Sequence, residues 1–586
     1  MSVDEKMAST HTEEKSASTL EKNHHNDQQL ERIDTVNVDN YHGIDLRTFL
    51  VYMALCLVSF AQLFNIVGSG AYSRSIAIAI GGADKTVWLS QAIVITTVVL
   101  GPPASQAADY FGRKWLIVIS AVFGFVGALI LSRANSIGQA IGGQVVSSVL
   151  YIGQPIVIAV GSEILPRKFR PVAQGGLNAA GAAGGISGLL GGAALTSNSL
   201  YGWRNYWYIV AALLGASAII VAVLYNPPPR PLQKSLSMKE KLGRLDWIAY
   251  VLLAICLVLF TVGLSYGNNP YPWTNARVLA PLIVGFCFFV GLIVHQTYLK
   301  KDGLIHHGLF KKDRNFAVAL GCFFADGMIF WAANNYFSFQ VQVLYETDPM
   351  LIGLRFCIAF FAAIGAAASI VVISSFTKSI REPIVASFIM FTIFYALMAT
   401  SKLSSGTAMW GYPVFLGIGL GWSLTYLVTA AQLNAPPHLI AITSGILLAI
   451  RSFGGSVALA ICTDYLHALI SPLTMTDTAI FNSSLSKHLG HDIAAAVLPL
   501  GFPPTELDAF IGALAGQDQA ALAQIPNVTR EILGAGVHAL LNAHLVSLRG
   551  VWIAAAVFSG DTVIGSCFII NPKSDLNNHV DAPLEE

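Results

Sequence analysis

Three charged residues stand inside stretches that hold almost nothing else polar: Asp326 in GCFFADGMIFWAANN, Arg451 in LLAIRSFGG and Asp561 in AAVFSGDTVIGS. A carboxylate among apolar neighbours has two uses. It can face a cation and tie helices together, or it can take up and release a proton, because desolvation raises its proton affinity unless a cation opposes it. Both readings apply to Asp326, with Arg451 as the opposing cation, and to Asp561. Trp331, Asn334 and Asn335 follow Asp326 in the same stretch, and Gln154 lies at comparable depth in another. Polar and aromatic groups of this kind suit the lining of a cavity for an amphipathic, multi-ring ligand. A second constellation is ADYFGRKW, which sets Asp109, Gly112, Arg113 and Lys114 between two greasy segments. Its glycine permits a tight bend, and its cations can meet anionic headgroups or a carboxylate on a neighbouring helix.

The elements that carry these residues must be membrane helices. The 586 residues are 54% hydrophobic and only 11% charged, against roughly 25% charged in a soluble domain. Apolar runs of about 20 residues, each able to cross the roughly 30 Å hydrocarbon core, recur along most of the chain. They predict an all-α polytopic membrane protein with about fourteen transmembrane helices in two six-helix bundles plus two extra helices. The expected organisation is a disordered cytoplasmic tail (1–45), a first six-helix bundle (46–226), a cytoplasmic linker (227–246), two additional helices (247–300), a second bundle (315–570) and a cytoplasmic tail (571–586). The second bundle includes a long external loop, 471–547, with short helices expected over the external mouth and a last span at 548–570. A charge buried at mid-span costs roughly 2.5–3.5 kcal/mol even on lenient insertion scales, so Asp326, Arg451 and Asp561 need partners.

Short cytoplasmic loops are enriched in Lys and Arg. One set of connections holds Arg113, Lys114, Arg167, Lys168, Arg170, Arg230, Lys234, Lys239, Lys241, Arg244, Lys300, Lys301, Lys311, Lys312, Arg314, Lys378 and Arg381, whereas the opposite short loops hold Arg74, Lys85, Arg133, Arg204, Arg277 and Lys402. Both termini are therefore expected in the cytoplasm, and the chain in the cell membrane, with a vacuolar or vesicle membrane left open. The Asn-x-Ser/Thr sequons at Asn482 and Asn527 fall in the external loop and are expected to carry glycans. The seven cysteines lie in apolar runs without CxxC spacing, so neither a disulfide framework nor a metal site is expected. His24-His25 and His306-His307 read as solvated surface. No P-loop, nucleophile–base arrangement or pair of water-facing carboxylates appears, which excludes ATP-driven pumping and argues against an enzyme. The net charge of +1 leaves no footprint for nucleic acid.

ADYFGRKW resembles the loop signature of the major facilitator superfamily, in which the aspartate and basic pair help latch two helical halves together in one state of a transport cycle. SEILPRKFRP (162–171) resembles the matching loop after the fourth span, which implies that Glu163 and Arg170 join Asp109, Gly112, Arg113 and Lys114 in the latch. The fifth span, GGLNAAGAAGGISGLLGGAA, resembles the antiporter signature without its proline, and GRLDWIAY and AIRSFGGSVALAI look like segments of the 14-span drug:proton antiporter branch. The external loop is most similar to that of the fungal trichothecene efflux pump family, with siderophore-iron transporters as near relatives. Gln144 and Leu63 stand near the positions where many relatives have a fourth-span arginine and a first-span aspartate, so the resemblance does not supply the coupling residues. Asp326 becomes the first choice for proton coupling, Asp561 the second. The resemblance implies a secondary active transporter, acting as a monomer without a cofactor, that exports a toxic small organic molecule in exchange for protons. The alternatives are proton-coupled uptake of a ferric siderophore and a non-transporting receptor. Small-xxx-small pairs at Gly181/Gly185, Gly184/Gly188 and Gly188/Gly192 mark the fifth span either for static close packing or for a rocking interface.

Overall fold

The computed structural model describes residues 45–584, apart from 471–481 and positions within 73–86, 198–200, 230–236, 267–273, 301–311, 516–527 and 573–574; the side chains of 71, 87, 197, 265, 349, 375, 376, 438, 459–489 and 515 are also outside the description. All of the expected tail (1–45) but Asp45, and the sequon at Asn527, lie outside the described residues. Fourteen helices among the described residues are long and apolar enough to cross a membrane. The first six are α1 (Leu46–Ala71), α2 (Val87–Phe111), α3 (Lys114–Ser132), α4 (Ile137–Glu163, tightened to a 3-10 turn at Val149–Ile152), α5 (Arg170–Ser197) and α6 (Gly202–Leu224). Two more, α7 (Trp247–Tyr266) and α8 (Ala276–Val294), pack on each other, and α7 leans on α2 and α13 (Ile440–Ile470). The last six are α9 (Asn315–Leu344), α10 (Pro349–Thr377), α11 (Arg381–Ala399), α12 (Pro413–Asn434), α13 and α14 (Arg530–Ser566). The protein is a multi-pass membrane protein.

Local chemistry sets the ends of these helices. Asp45 caps α1 by accepting from the Arg47 amide, Asp348 caps α10 ahead of Pro349, and Thr529 caps α14 by accepting from the Ile532 amide at 3.2 Å. Gly112, at φ +96°, makes the turn from α2 into α3 in a conformation that L side chains rarely adopt.

Helix approach follows the glycines. On α5, a Cβ at Gly184 would lie 2.1 Å from the Phe60 carbonyl oxygen of α1, so these backbones touch inside the first half. The opposite side of α5 faces the second half: a Cβ at Gly175 would stand 3.2 Å from Ile370, and one at Gly185 3.2 Å from Phe360, both on α10. The stripe is thus closely packed on both faces, against α1 on one and against α10 of the other half on the other. In the second half α9 and α13 are drawn together by reciprocal glycines, a Cβ at Gly327 falling 1.9 Å from the Arg451 carbonyl oxygen and one at Gly454 falling 2.1 Å from that of Phe324.

The last span departs from expectation. It begins at Arg530, where the sequence predicted a separate short helix and a span from 548, because TREILGAGVHALLNAHLVSL has no breaker between it and the apolar run. Its first turns bury Ile532, Ala539 and Leu540 against Ile493, Val497, Phe510 and Leu514 of the short helices Asn482–Val497 and Leu507–Ala515. This gives the long loop an apolar core of its own.

Candidate functional site

Close approach of α9 and α13 places Arg451 beside Asp326. The Arg451 Nε donates to Asp326 Oδ2 at 2.6 Å, and Ser423 Oγ of α12 donates to Oδ1 at 2.6 Å. Asp326 is fully buried, the Arg451 side chain keeps a little exposure (16%), and its guanidinium lies 5.0 Å from the centre of the Phe330 ring. The expected Asp–Arg pair is therefore present, and Ser423 is a third member that the sequence reading missed. α13 also packs against α2 and α4 of the first half, so Arg451 stands on one of the helices through which the two halves meet.

Asp561 is a correction. It was expected near the centre of a span, but the real helix starts 18 residues earlier and ends at Ser566, and Asp561 is exposed on its outer surface near that end. Of the apolar neighbours that suggested burial, Val557, Phe558 and Ile564 are exposed on the same outer surface, whereas Ala555, Ala556 and Val563 pack against the core. Among the expected cavity residues, Trp331 is buried against Phe330, 5.8 Å between ring centres, and against Gly455 of α13. The Asn335 amide turns back to donate to the Trp331 carbonyl at 2.8 Å and is exposed, while Asn334 and Gln154 are half-buried. The Trp331–Asn335 bond is a contact within α9, and no hydrogen bond among the described residues joins Gln154 to the other three.

The charged loops gather at one end of the bundle, called here the basic end. Arg113 donates to Asp109 Oδ1 at 3.1 Å and pairs with Glu163 of α4, all three buried. This trio ties α2, α3 and α4 together within the first half. Lys114 donates to the Asn226 side chain beyond α6 and lies 5.2 Å from the Trp115 ring centre, outside the Asp109–Arg113–Glu163 trio. Arg170 crosses between halves, donating to the Gln432 carbonyl of α12 at 3.2 Å, and it pairs with Asp581 near the C-terminus.

Next to Arg170 lies a seam of uncharged polar groups that the sequence reading missed. Gln174 donates to Ser162 Oγ at 2.5 Å, Ser162 donates to Gln432 Oε1 at 2.6 Å, and Gln432 donates to Ser444 Oγ at 2.9 Å. Further into the bundle, Asn178 donates to Thr425 Oγ1 at 3.1 Å. These bonds link α4 and α5 to α12 and α13, in sites where Ser162, Gln174, Gln432 and Ser444 are all buried. A satisfied buried network of this kind holds a single register while intact, and it contains no buried charge to strand when it parts. Among the described residues no group of His, Cys, Asp and Glu could hold a metal ion.

A family model described as Major Facilitator Superfamily matches residues 53–459. An MFS-type transporter of Acremonium sp. is 27% identical over 399 residues, which is 64% of this chain and 63% of that protein, so the match spans less than two thirds of that relative. An MFS transporter of Phoma sp. is 24% identical over 92% of this chain and 85% of its own length. A trichothecene efflux pump of Fusarium sporotrichioides is 23% identical over 85% of this chain and 80% of that pump.

Proposed function

The chain belongs to the major facilitator superfamily and is a membrane transporter, and from that premise we propose that it exports a toxic small organic molecule, such as a fungal secondary metabolite, mycotoxin or drug, in exchange for protons by alternating access. The observation that carries this reading is the uncharged seam between the halves at the basic end. Beside the Arg170 bond to the Gln432 carbonyl, residues of α4 and α5 meet residues of α12 there through side-chain bonds between neutral groups, which can break without leaving a bare charge. Such a seam suits an interface that opens and closes repeatedly. The Lys and Arg bias assigns that end to the cytoplasm, so the state described is closed on the cytoplasmic side. The export direction is supported by relatives named as efflux pumps.

Asp326 is the proposed proton carrier. In the closed state its carboxylate is matched by Arg451 and Ser423. Protonation would cancel the charge that holds Arg451, and Arg451 stands on α13, which packs against α2 and α4 of the other half. Proton occupancy is thereby linked to how the halves meet. Asp109, Arg113 and Glu163 brace the first half as a unit, and Arg170 bolts it to α12. Trp331, Asn334 and Asn335 are the proposed substrate-facing groups of the second half, with Gln154 as that of the first.

The test is growth of a strain lacking the gene on a toxin panel and on siderophore-bound iron as sole iron source. Sensitivity to one or more toxins, reversed by the intact gene, supports export. Iron starvation with unchanged toxin tolerance overturns it in favour of ferric siderophore uptake.

A further inference from the structure

We propose that the C-terminal segment 571–584 is a strap that holds the basic end shut, with Asp581 as its fastening, so that the strap must let go each time that end opens. This rests on the alternating-access reading above but concerns a segment which that reading does not use.

The root of the strap is built into the second half. The Asn571 side-chain oxygen accepts from the backbone amides of Ile380 and Arg381, both at 2.8 Å, and its amide donates to Glu382. Just before it, the Ile570 amide and carbonyl are both bonded to the Asn315 side chain, at 2.7 and 2.9 Å. Lys312 donates to Asp575 at 2.6 Å and to the Leu433 carbonyl at 3.1 Å. Leu576 is buried in the large apolar cluster formed mainly by the same half.

The tip is built into the first half. The backbone amides of Arg167 and Lys168 donate to the carbonyls of His579 and Asn577, each at 2.9 Å, and the Ala582 amide donates to the Glu163 carbonyl at 3.0 Å. Leu584 is buried among Ile164, Leu165 and Ala173 of the first half and Ile440 and Ala441 of the second. Asp581 has only 1% of its side chain exposed; it accepts from Arg167 Nη2 at 2.5 Å and Nε at 3.1 Å, pairs with Arg170, and has the His579 imidazole at 3.7 Å. Burial alone would raise the Asp581 pKa, but Arg170, Arg167 and His579 outweigh it and hold the carboxyl below its usual range, so the fastening is ionised.

One continuous segment is therefore bonded by its first residues to one half and by its last residues to the other. The halves cannot separate at this end while both sets of bonds last. Arg170 makes the link direct, since its guanidinium is shared between Asp581 of the strap and the Gln432 carbonyl at the seam. A linker fixed at both ends adds its bonds to the closed state only, and so shifts the population of the two states by their combined strength.

The test is made on the full-length protein with its native cysteines replaced and Thr425→Cys introduced at the seam, a position that the strap does not cover. Labelling by a bulky water-soluble maleimide reports opening of the basic end. Asp581→Asn, and separately a chain ending at Leu576, are expected to label several-fold faster than the parent. In a second protein, Lys168→Cys and Asn577→Cys lie on main chains held side by side. Bridging them with a short bis-methanethiosulfonate is expected to stop transport until reductant is added. Unchanged labelling in a truncated chain that still transports, or full transport by the bridged protein, would overturn the strap. Labelling is read without substrate, so the strap can fail while the transport reading stands.

Discussion

Asp326 is where opposing demands on one side chain are sharpest. Removing one partner of a buried ion pair costs about 3–5 kcal/mol, because the other is left charged and unmatched, and here Arg451 would be that remnant. Asp326→Asn is therefore expected to lower the unfolding temperature in detergent and to abolish the response to a pH gradient. Arg451→Gln added to it should restore stability but leave transport blind to pH. A stable single variant with full pH-driven transport would remove Asp326 from both roles. Asp109→Asn is expected to behave differently. It leaves Arg113 its partner Glu163, so the protein should reach the membrane in normal amount and transport slowly; wild-type rates in vesicles would contradict a latch role. The sequence made Asp326 and Arg451 legible because a charge in an apolar run is costly anywhere and must be met. It did not make Asp581 legible. An aspartate in NPKSDLNNHVDAPLEE breaks no local rule, and only folding brings it to Arg167 and Arg170. The motif that holds Lys114 fixes residue types along the chain but not the side to which each one turns, and the Asn226 partner of Lys114 could not be read from it.

At the scale of single helices, α5 offers a test that separates packing from motion. Gly184 has a backbone carbonyl in front of it, which cannot yield, whereas Gly185 faces the edge of a Phe360 ring, which can. Gly184→Ala should cost about 1–3 kcal/mol through overpacking and reduce the yield of folded protein. Gly185→Ala should fold in normal yield and change the transport rate instead. Equal yields from the two would mean that α5 does not divide its faces this way. Helix existence was readable throughout, because a run of about 20 apolar residues has few alternatives in a bilayer. Helix extent was not, as α14 illustrates: the residues from Arg530 to His544 are amphipathic, and that pattern alone could not tell a separate surface helix from an extension of the span. The same uncertainty displaced Asp561 from the expected centre of its helix to the outer surface near its end. The reciprocal glycines of α9 and α13 were visible as letters, but GCFFADG and RSFGGS lie more than 120 positions apart, and nothing local pairs them.

The molecule as a whole has two unlike ends. The basic end is crossed by charged loops and the C-terminal segment, and the far end carries the apolar cluster formed by the helices Asn482–Val497 and Leu507–Ala515 on α14. If the Lys and Arg bias sets the topology, Asn482 and Asn527 lie outside the cell. A glycosidase should then shift the protein on a gel, and the shift should vanish in the double Asn→Gln variant. Cleavage between residues 471 and 547 by a protease confined to the cytoplasmic face would invert the assignment. α14 has a mechanical consequence as well. At about 1.5 Å per residue, its 37 residues make a rod of roughly 55 Å, nearly twice the thickness of the hydrocarbon core. A rod fixed in the second half and loaded at its free end acts as a pointer, so a small tilt of that half would sweep this cluster through a larger arc, and a probe placed there would report the cycle from the end opposite the basic one.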